Sequence, residues 1–577
     1  MKFRWSLAPS QPLLAGQLAS QLRIPPLLAQ CLVNRGLAEA PVVENFLAPR
    51  LKNLADPFLL PDMGKAVRRL FQARERNEPL VIFGDYDVDG VTSTALLIEV
   101  LRPLGWRVDF YLPSRLEEGY GLSADGAENC LRKFLNSAAM DSTPLLLAVD
   151  CGSTAVDTIR TLRERGVEVI VLDHHQVSRP PPEAVALVNP QLTARFVELC
   201  SAGLAFKLAH ALLKHARAAN LPGAAEFDLK PLLDLVALGS IADLVPLTGE
   251  NRILVSAGLR QLNQSQRPGI VALKRAAQTS EDIGVYEVGF QLAPRLNAAG
   301  RLETAEGALR LLLAKSLEEA MPLAQTLDLQ NRERQKIEKG IAEEVIAAVR
   351  AKFDPQTDFV IVEGQLLWHI GVVGIVASRV LQAFYRPAII IGGDNGEMRG
   401  SGRSIAGFDL AAALRQCDGL LVRHGGHALA AGLSILPDNI GPFREKLNEL
   451  ARQALKPDDL QPALRLDAEV GLDEITCQTL GELEKLKPCG QGNPPVQFCA
   501  RQLTHARPLQ RIGAEKQHVK MWLSDGAAIC EAIWWNHGND SLPVGRFDLA
   551  FQPQIRRFNA NRAIQLKVLD WQAAQSS

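Results

Sequence analysis

Residues 80–94 read Leu80-Val81-Ile82-Phe83-Gly84-Asp85-Tyr86-Asp87-Val88-Asp89-Gly90-Val91-Thr92-Ser93-Thr94. An apolar run of strand length gives way to three carboxylates at alternate positions, and a helical pattern follows. Clustered carboxylates repel one another, and a bound cation is the usual relief. The loop is not of the EF-hand type, because the twelfth position from Asp85 is Leu96, where such a loop needs a bidentate Glu. For this segment alone, a polar turn that caps the next helix is the competing reading.

Working outward, the pattern repeats. Leu145-Leu146-Leu147-Ala148-Val149 runs into Asp150-Cys151-Gly152, and Val167-Glu168-Val169-Ile170-Val171-Leu172 runs into Asp173-His174-His175. Apolar runs separated by helical patterns are the βαβ signature of a parallel sheet buried on both faces, whose working site lies beyond the carboxyl ends of its strands. A fourth acid, Asp243, ends an apolar helical stretch. One Asp at such a place is ordinarily a cap; four at one sheet edge are hard to assign to capping. A mainly carboxylate set with one or two imidazoles and no thiolate suits Mn²⁺ or Mg²⁺ better than structural zinc.

The chain has 577 residues, enough for about three or four domains at roughly 150 residues each. With 47% hydrophobic and 22% charged residues it is globular in composition, which excludes wholesale disorder and fibrous repeats. Lys and Arg number 63 against 64 Asp and Glu, so a polyanion must find local basic grooves. The apolar runs are too short for a membrane span, and the N-terminus has no signal-peptide core, which predicts a cytoplasmic protein with no membrane partner. Nine cysteines without a CxxC pair predict reduced, mostly buried thiols.

The predicted class is α/β: two α/β domains joined by a long helix, followed by a β-barrel. Residues 1–60 read as a helical lead-in, 61–300 as the first α/β domain, 301–353 as connecting helices, 354–456 as the second α/β domain and 457–577 as the barrel. Phe359–Val362 and Ala388–Ile391 are strands of the second domain. The connector is predicted from about Leu323 to Phe353, with Ser316 and Glu319 as a candidate capping box upstream. Its middle, residues 328–336, lacks an apolar stripe, as expected of a helix crossing solvent between domains. In the barrel, Trp522, Trp534, Trp535 and Phe558 are interleaved with Arg511, Lys516, Lys520, Arg556, Arg557 and Arg562, a mixture that fits either single-strand stacking or an ordinary core with solvated charges.

With these residues in view, the chain resembles the DHH phosphoesterases, named for a triplet that stands here at Asp173-His174-His175, and within them the RecJ-type single-stranded-DNA-specific exonucleases. The motifs are Gly84-Asp85-Tyr86-Asp87-Val88-Asp89-Gly90, Asp150-Cys151-Gly152, the triplet, and Ala242-Asp243. A DHHA1 signature stands at Gly425-Gly426-His427-Ala428-Leu429-Ala430-Ala431-Gly432, preceded by Ser401-Gly402-Arg403-Ser404. Further RecJ-type segments are Arg115 with Glu118-Gly119-Tyr120-Gly121-Leu122, Arg295-Leu296-Asn297-Ala298-Ala299-Gly300-Arg301, and Gly490-Gln491-Gly492-Asn493-Pro494.

The resemblance implies two divalent cations, Mn²⁺ or Mg²⁺, held by Asp87, Asp89, Asp150, His174 and Asp243, with Asp85 close by. It also implies that His175 faces the scissile phosphate, and Asp173 is expected to orient an imidazole. Substrate contacts are expected from Arg115, Tyr120, Arg295, Asn297, Arg301, Ser401, Arg403, Gly426 and His427, and DNA contacts of an oligonucleotide-binding (OB) fold from Trp522, Arg556 and Arg557. His424 matches no motif and reads as a core or helix-end histidine. The implied activity is 5′→3′ hydrolysis of single-stranded DNA to mononucleotides in DNA repair and recombination. Implied partners are single-stranded DNA with a 5′ end, a single-strand-binding protein and a RecQ-type helicase, for a monomeric enzyme. Two alternatives stand beside it: a DHH/DHHA1 phosphodiesterase acting on oligoribonucleotides or cyclic dinucleotides, which needs no barrel, and a non-catalytic single-strand-binding scaffold, which needs no competent ligands.

Overall fold

The runs Leu80–Gly84, Leu145–Val149 and Val169–Leu172 are buried along their whole length. Continuous apolar strands of this kind must be covered on both faces. They lie in an all-parallel sheet in the order Val108–Tyr111, Leu80–Gly84, Leu145–Val149, Val169–Leu172, Ala186–Val188. Alternation sends Leu80 and Ile82 into one core with the Val88–Leu101 helix, and Val81 and Phe83 into another with the Ala124–Leu135 helix. The chain therefore winds away from Leu80–Gly84 on both sides, and a crevice opens at the carboxyl ends of this strand and Leu145–Val149. Gly84 is in register with Val149, so Asp85 and Asp150 emerge next to each other. The computed structural model describes residues 3–115, 117–119, 121–135, 143–393, 396–558 and 561–574.

A second, mixed sheet has the order Leu421–Gly426, Ala430–Ile435, Met398–Arg403, Ala388–Gly392, Ile361–Gly364, with only the last pair parallel. One face packs on Phe443 and Leu447 of the Ile440–Ala454 helix. On the other face the Val373–Phe384 helix and the connector cover Ala388 and Ile390. Both sheets belong to one unit, Leu51–Leu460.

The connector is a 36-residue helix, Leu317–Lys352, about 54 Å long. It begins six residues before the predicted start, directly after the predicted cap Ser316, and runs through Pro322 in its second turn. Ser316 caps it, accepting the Glu319 N–H at 3.2 Å. Its middle corrects a second expectation. Asp328, Asn331, Arg334 and Glu338, on one face, are buried instead of crossing solvent. The apolar stripe is missing because an ionic one replaces it: Arg295 donates to Asp328 at 2.9 Å, Arg334 to Glu338 at 2.6 Å and Arg379 to Glu338 at 2.5 Å.

The other unit joins Met1–Arg50 to Gln461–Ser577. The Arg4–Leu7 strand pairs in parallel with Ala463–Leu466, and the helices Pro12–Leu22, Pro26–Asn34 and Ala40–Leu47 share a core with the C-terminal strands. Five strands, Phe498–Ile512, His518–Ser524, Ile529–Trp534, Asn561–Ala573 and Phe547–Phe558, close into a barrel when the first pairs back to the last. Among the described residues no helix is long and apolar enough to cross a membrane.

Glu338 is buried against Arg334, itself buried, so removing it strands that guanidinium, while Arg379 keeps its contact with solvent. Glu338→Ala is expected to destabilise the Leu51–Leu460 unit by about 3 to 5 kcal/mol, visible as a lower denaturant midpoint. An unchanged midpoint would mean the buried network contributes nothing.

Candidate metal centre and substrate cleft

The first motif is a strand end turned into a helix start. Asp87 is the N-cap of the Val88–Leu101 helix and accepts the N–H groups of Asp89 and Gly90 at 2.9 and 3.1 Å. A Cβ on Gly90 would lie 2.5 Å from the Asp85 carbonyl oxygen, so only glycine lets the turn close this tightly. The Asp89 carboxylate accepts the Ser201 and Ala202 N–H groups at 2.7 and 2.8 Å, at the positive end of the Ser201–Ala218 helix. Asn297 fastens the turn from outside by accepting the Val88 N–H at 3.2 Å.

Asp150 has φ = 64°, a left-handed backbone that a non-glycine residue adopts only when its surroundings hold it there. Its carboxylate accepts the Ser201 hydroxyl at 2.8 Å. His174 Nε2 lies 3.4 Å from Asp150, 3.7 Å from Asp243 and 3.9 Å from Asp89. Each of the sets Asp85/Asp87/Asp150, Asp89/His174/Asp243 and Asp150/His174/His175 offers one atom per residue, all within 4.8 Å of one another.

These groups are electrostatically mismatched as they stand. Burial, and then the charge of Asp87, pushes Asp85 up to about 8 and Asp89 up to about 6. Burial with the charges of Asp89 and Asp87 takes Asp243 to about 9, and Asp150 is raised well above the carboxylate range by burial and the same two neighbours. Burial, with the neighbouring His175 cation, lowers His174 to about 4. His174 Nε2 and Asp85 Oδ2 are buried without a hydrogen-bond partner. A neutral imidazole nitrogen and several carboxylates aimed at one space is a donor set that fits divalent cations taking oxygen with some nitrogen.

Asp173 does a different job. Its Oδ1 holds His175 Nδ1 at 2.7 Å and the His174 N–H at 2.8 Å, and its Oδ2 accepts the Ser153 N–H at 3.0 Å. Burial would raise Asp173, but the hydrogen bond and charge of His175 outweigh it and hold the carboxylate ionised. In return His175, which burial would lower, is lifted to about 9 by Asp173, so it is cationic at neutral pH. Sequence reasoning passed over Asn189, at the end of the fifth strand, which donates to Ser153 Oγ and to the His175 carbonyl at 2.8 Å. The recurrence of a polar residue after the neighbouring strands, as Asp85, Asp150 and Asp173, could have found it. Ser201 was also missed, and no sequence signal marked it.

From His175 a cleft of about 820 Å³ runs across the second sheet. Tyr86, Arg115, Ser401, Arg403, Gly426 and His427 line it. Arg115 stacks over the Tyr86 ring at 5.4 Å. Arg403 donates to Ser401 Oγ at 3.1 Å and to the Gly402 carbonyl at 2.8 Å. Gly374, in the first turn of the Val373–Phe384 helix, approaches so closely that a Cβ would sit 2.9 Å from Ser401 Oγ. A helix N-terminus, a hydroxyl and a guanidinium thus converge, as anion sites require. Gly426, at φ = 134°, makes the turn that presents His427. His424 is neither core nor helix end: it is a strand residue lining the cleft and paired with Asp418 at 3.1 Å.

Three further residues predicted to touch substrate are occupied within the protein. Arg295 is held by Asp328 and by the Gln291 carbonyl at 2.6 Å, Asn297 by Val88, and Arg301 by the Gly371 carbonyl at 3.1 Å. Tyr120 lies outside the described residues. In the barrel, Val519, Met521 and Leu523 point inward, so Trp522 faces outward beneath Lys520 at 4.9 Å and Arg507 at 5.8 Å. Trp534 is core, and Arg556 is exposed. The side chain of Arg557 lies outside those described.

Comparison with known proteins agrees with this architecture. The DHH family N-terminal domain matches residues 79–240, the DHHA1 domain 357–453 and the RecJ OB domain 466–570. The single-stranded-DNA-specific exonuclease RecJ of Bacillus subtilis is 36% identical over 99% of this chain and 71% of its own length. That of Escherichia coli is 34% identical over 94% of this chain and 95% of its own. The crystal structure of RecJ in complex with Mn²⁺ from Thermus thermophilus superposes with a TM-score of 0.84 at 31% identity, covering 99% of this chain and 80% of that one. With all three domains matched in order and full-length relatives above 30% identity, the chain belongs to the RecJ family of single-stranded-DNA-specific exonucleases.

Proposed function

We propose that this protein is a two-metal exonuclease that removes mononucleotides from the 5′ end of single-stranded DNA. The observation that carries the reading is the unpartnered His174 Nε2 inside a ring of Asp89, Asp150 and Asp243, within 3.9 Å of each. Asp85, Asp87 and Asp150 would hold one divalent cation, and Asp89, His174 and Asp243 the other. Cations bound there, Mn²⁺ or Mg²⁺, supply acidification of the attacking water and compensation of charge on the reacting phosphoryl oxygens.

The chain's own groups do the rest. Ser401, Arg403 and His427 grip the 5′-terminal phosphate and thereby fix which linkage lies over the carboxylates. His175, cationic and oriented by Asp173, offers its Nε2–H to a non-bridging oxygen of the scissile phosphate. Gly300 packs against the Tyr86 carbonyl, and with Asn297 it keeps the acidic turn in place. Thus Arg295, Asn297 and Arg301 act by positioning. Trp522 with Arg507, Lys520 and Arg556 is a stacking and phosphate-binding surface for the single strand. The same reading makes the enzyme a cytoplasmic monomer acting in DNA repair and recombination, with a single-strand-binding protein and a RecQ-type helicase as partners; it rests on family likeness alone.

Asp150→Ala opens a carboxylate shared between ligand sets, so hydrolysis should disappear while single-strand binding survives. Asp173→Asn, one layer further out, should lose only ~10 to 100-fold. Assay of an end-labelled strand with Mn²⁺ decides this, and near-normal turnover by Asp150→Ala would remove the metal assignment.

The raised carboxylates set a pH dependence. Asp85, Asp89 and Asp243 titrate in the folded protein at about 8, 6 and 9, far above their ordinary range near ~3.9. The metal-free native state therefore holds protons that the unfolded chain has released, and it loses stability as pH rises from about 4 to 9. Cations must displace those protons, so Mn²⁺ affinity should climb by roughly tenfold per pH unit for each proton released. Calorimetric titration at pH 6.5 and 8 in two buffers counts the protons, and an affinity independent of pH would contradict the account.

Arg403→Ala should leave Mn²⁺ binding intact and reduce the preference for 5′-phosphorylated over 5′-hydroxyl strands by roughly tenfold. The two strands compete in one reaction, which gives the ratio of kcat/KM values directly. An unchanged ratio would move the terminal-phosphate pocket elsewhere.

A further inference from the structure

Three glycines in series join the metal centre to the terminal-phosphate pocket. Gly300, near the end of the Ala293–Leu302 helix, lies against the first motif, where a Cβ would sit 2.8 Å from the Tyr86 carbonyl oxygen. The next residue, Arg301, touches Gly371, on which a Cβ would run into the Arg301 carbonyl oxygen. Three residues further on, Gly374 lies in the first turn of the Val373–Phe384 helix, and a Cβ there would meet Ser401 Oγ at 2.9 Å and Arg403 Nη2 at 3.1 Å. None of the three has a positive φ. Close approach, and not backbone conformation, is what demands glycine at each.

Gly371 is also held through its own backbone groups. Its N–H is accepted by His369 Nδ1 at 3.1 Å, and its carbonyl accepts the Arg301 guanidinium at 3.1 Å. Just before it, Trp368 is buried, donates from its indole to Glu344 of the connector at 3.2 Å, and lays its carbonyl directly against Gly392. The segment leading into the joint is therefore fixed at both ends. A packed side chain can yield by changing rotamer, whereas a bare Cα pressed on its neighbour has no rotamer to change. At each of the three contacts one partner is such a Cα, so the path from the acidic turn to Ser401 and Arg403 has little slack.

Resting on the exonuclease reading above, in which Ser401, Arg403 and His427 grip the terminal phosphate, we propose that the joint between Arg301 and Gly371 is a spacer that fixes the distance from this grip to the carboxylates. Arg301 and Gly371 are then positioning residues that turn binding of the 5′-phosphate into turnover at the first linkage. A strand held by its phosphate is placed by the spacer, so any error in the spacer is passed on to the scissile phosphorus. A strand ending in a hydroxyl has no phosphate in the grip and does not feel the spacer. Carbon contacts settle near ~3.5 Å, so a methyl group on Gly371 must part the joint by about 1 Å. Misplacement of that size costs roughly 100-fold in rate.

The experiment compares the full chain as wild type, Gly371→Ala, Arg301→Met and Arg301→Lys on single strands that differ only in a 5′-phosphate or a 5′-hydroxyl. Single-turnover rates are measured with Mn²⁺ and saturating enzyme, and strand affinity in EDTA, where nothing is cut. Gly371→Ala should slow the phosphorylated strand roughly 100-fold and the hydroxyl strand less than about threefold, with affinity for the phosphorylated strand within about twofold of wild type. Arg301→Met should show the same split at about tenfold, and Arg301→Lys, which still reaches the Gly371 carbonyl, should recover most of the rate. Arg301→Met adds no atoms to the joint and keeps the test decisive if Gly371→Ala does not fold. The split separates the spacer from the grip, since Arg403→Ala should lose affinity for the phosphorylated end. Equal slowing of both strands, or an unchanged rate on the phosphorylated strand, would overturn the spacer and leave the exonuclease reading standing. If wild type cuts both strands equally fast, the phosphate grip falls and the spacer with it.

Discussion

Mutual repulsion among buried carboxylates is the constraint on which the rest of this structure depends. Asp85, Asp89, Asp150 and Asp173 are each about 1% exposed, and Asp87 and Asp243 stand at their edge. Asp173 has partners on both oxygens, and the hydrogen bond and charge of His175 hold it in its charged form. Asp85, Asp89, Asp150 and Asp243 are raised, and the imidazole among them is neutral. A protein keeps such a cluster only if something positive completes it. Much of the surrounding architecture holds the acids in place: the left-handed Asp150, the Ser201–Ala218 helix end under Asp89, and the Asn297 clasp on the acidic turn.

A parallel sheet with a switch point delivers these acids to one place, since loops from neighbouring strands meet at its carboxyl edge. The second sheet faces this edge across a cleft whose floor is glycine and whose walls are cationic. Division of labour follows from charge. Acids on one wall call for cations, and cations on the other call for phosphates. A phosphodiester lying between them satisfies both.

Sequence made the catalytic half unusually legible. Asp85, Asp87, Asp89, Asp150, His174 and Asp243 follow apolar runs whose period fixes strand or helix, so their convergence could be read before any geometry. The sheet edge is the one place where strand ends must meet. The long helix was less legible. The polar stretch 328–336 looked solvated, because sequence does not show that Arg295 arrives from elsewhere to pair with Asp328, or that Arg379 pairs with Glu338 just beyond it. Arg295, Asn297 and Arg301 were expected at substrate, and a motif could not show the partners they have within the protein: Asp328, the Val88 N–H and the Gly371 carbonyl. Trp522 and Trp534 were indistinguishable in sequence, and strand alternation in the barrel separated the outward one from the core one.

Crystals of the full chain soaked in Mn²⁺ test the central claim most directly, through anomalous diffraction at the manganese edge. The account predicts two anomalous peaks per chain, one bounded by Asp85, Asp87 and Asp150 and the other by Asp89, His174 and Asp243, both absent in Asp150→Ala or reduced to one. A single peak in the wild-type protein, or peaks away from His174, would contradict it.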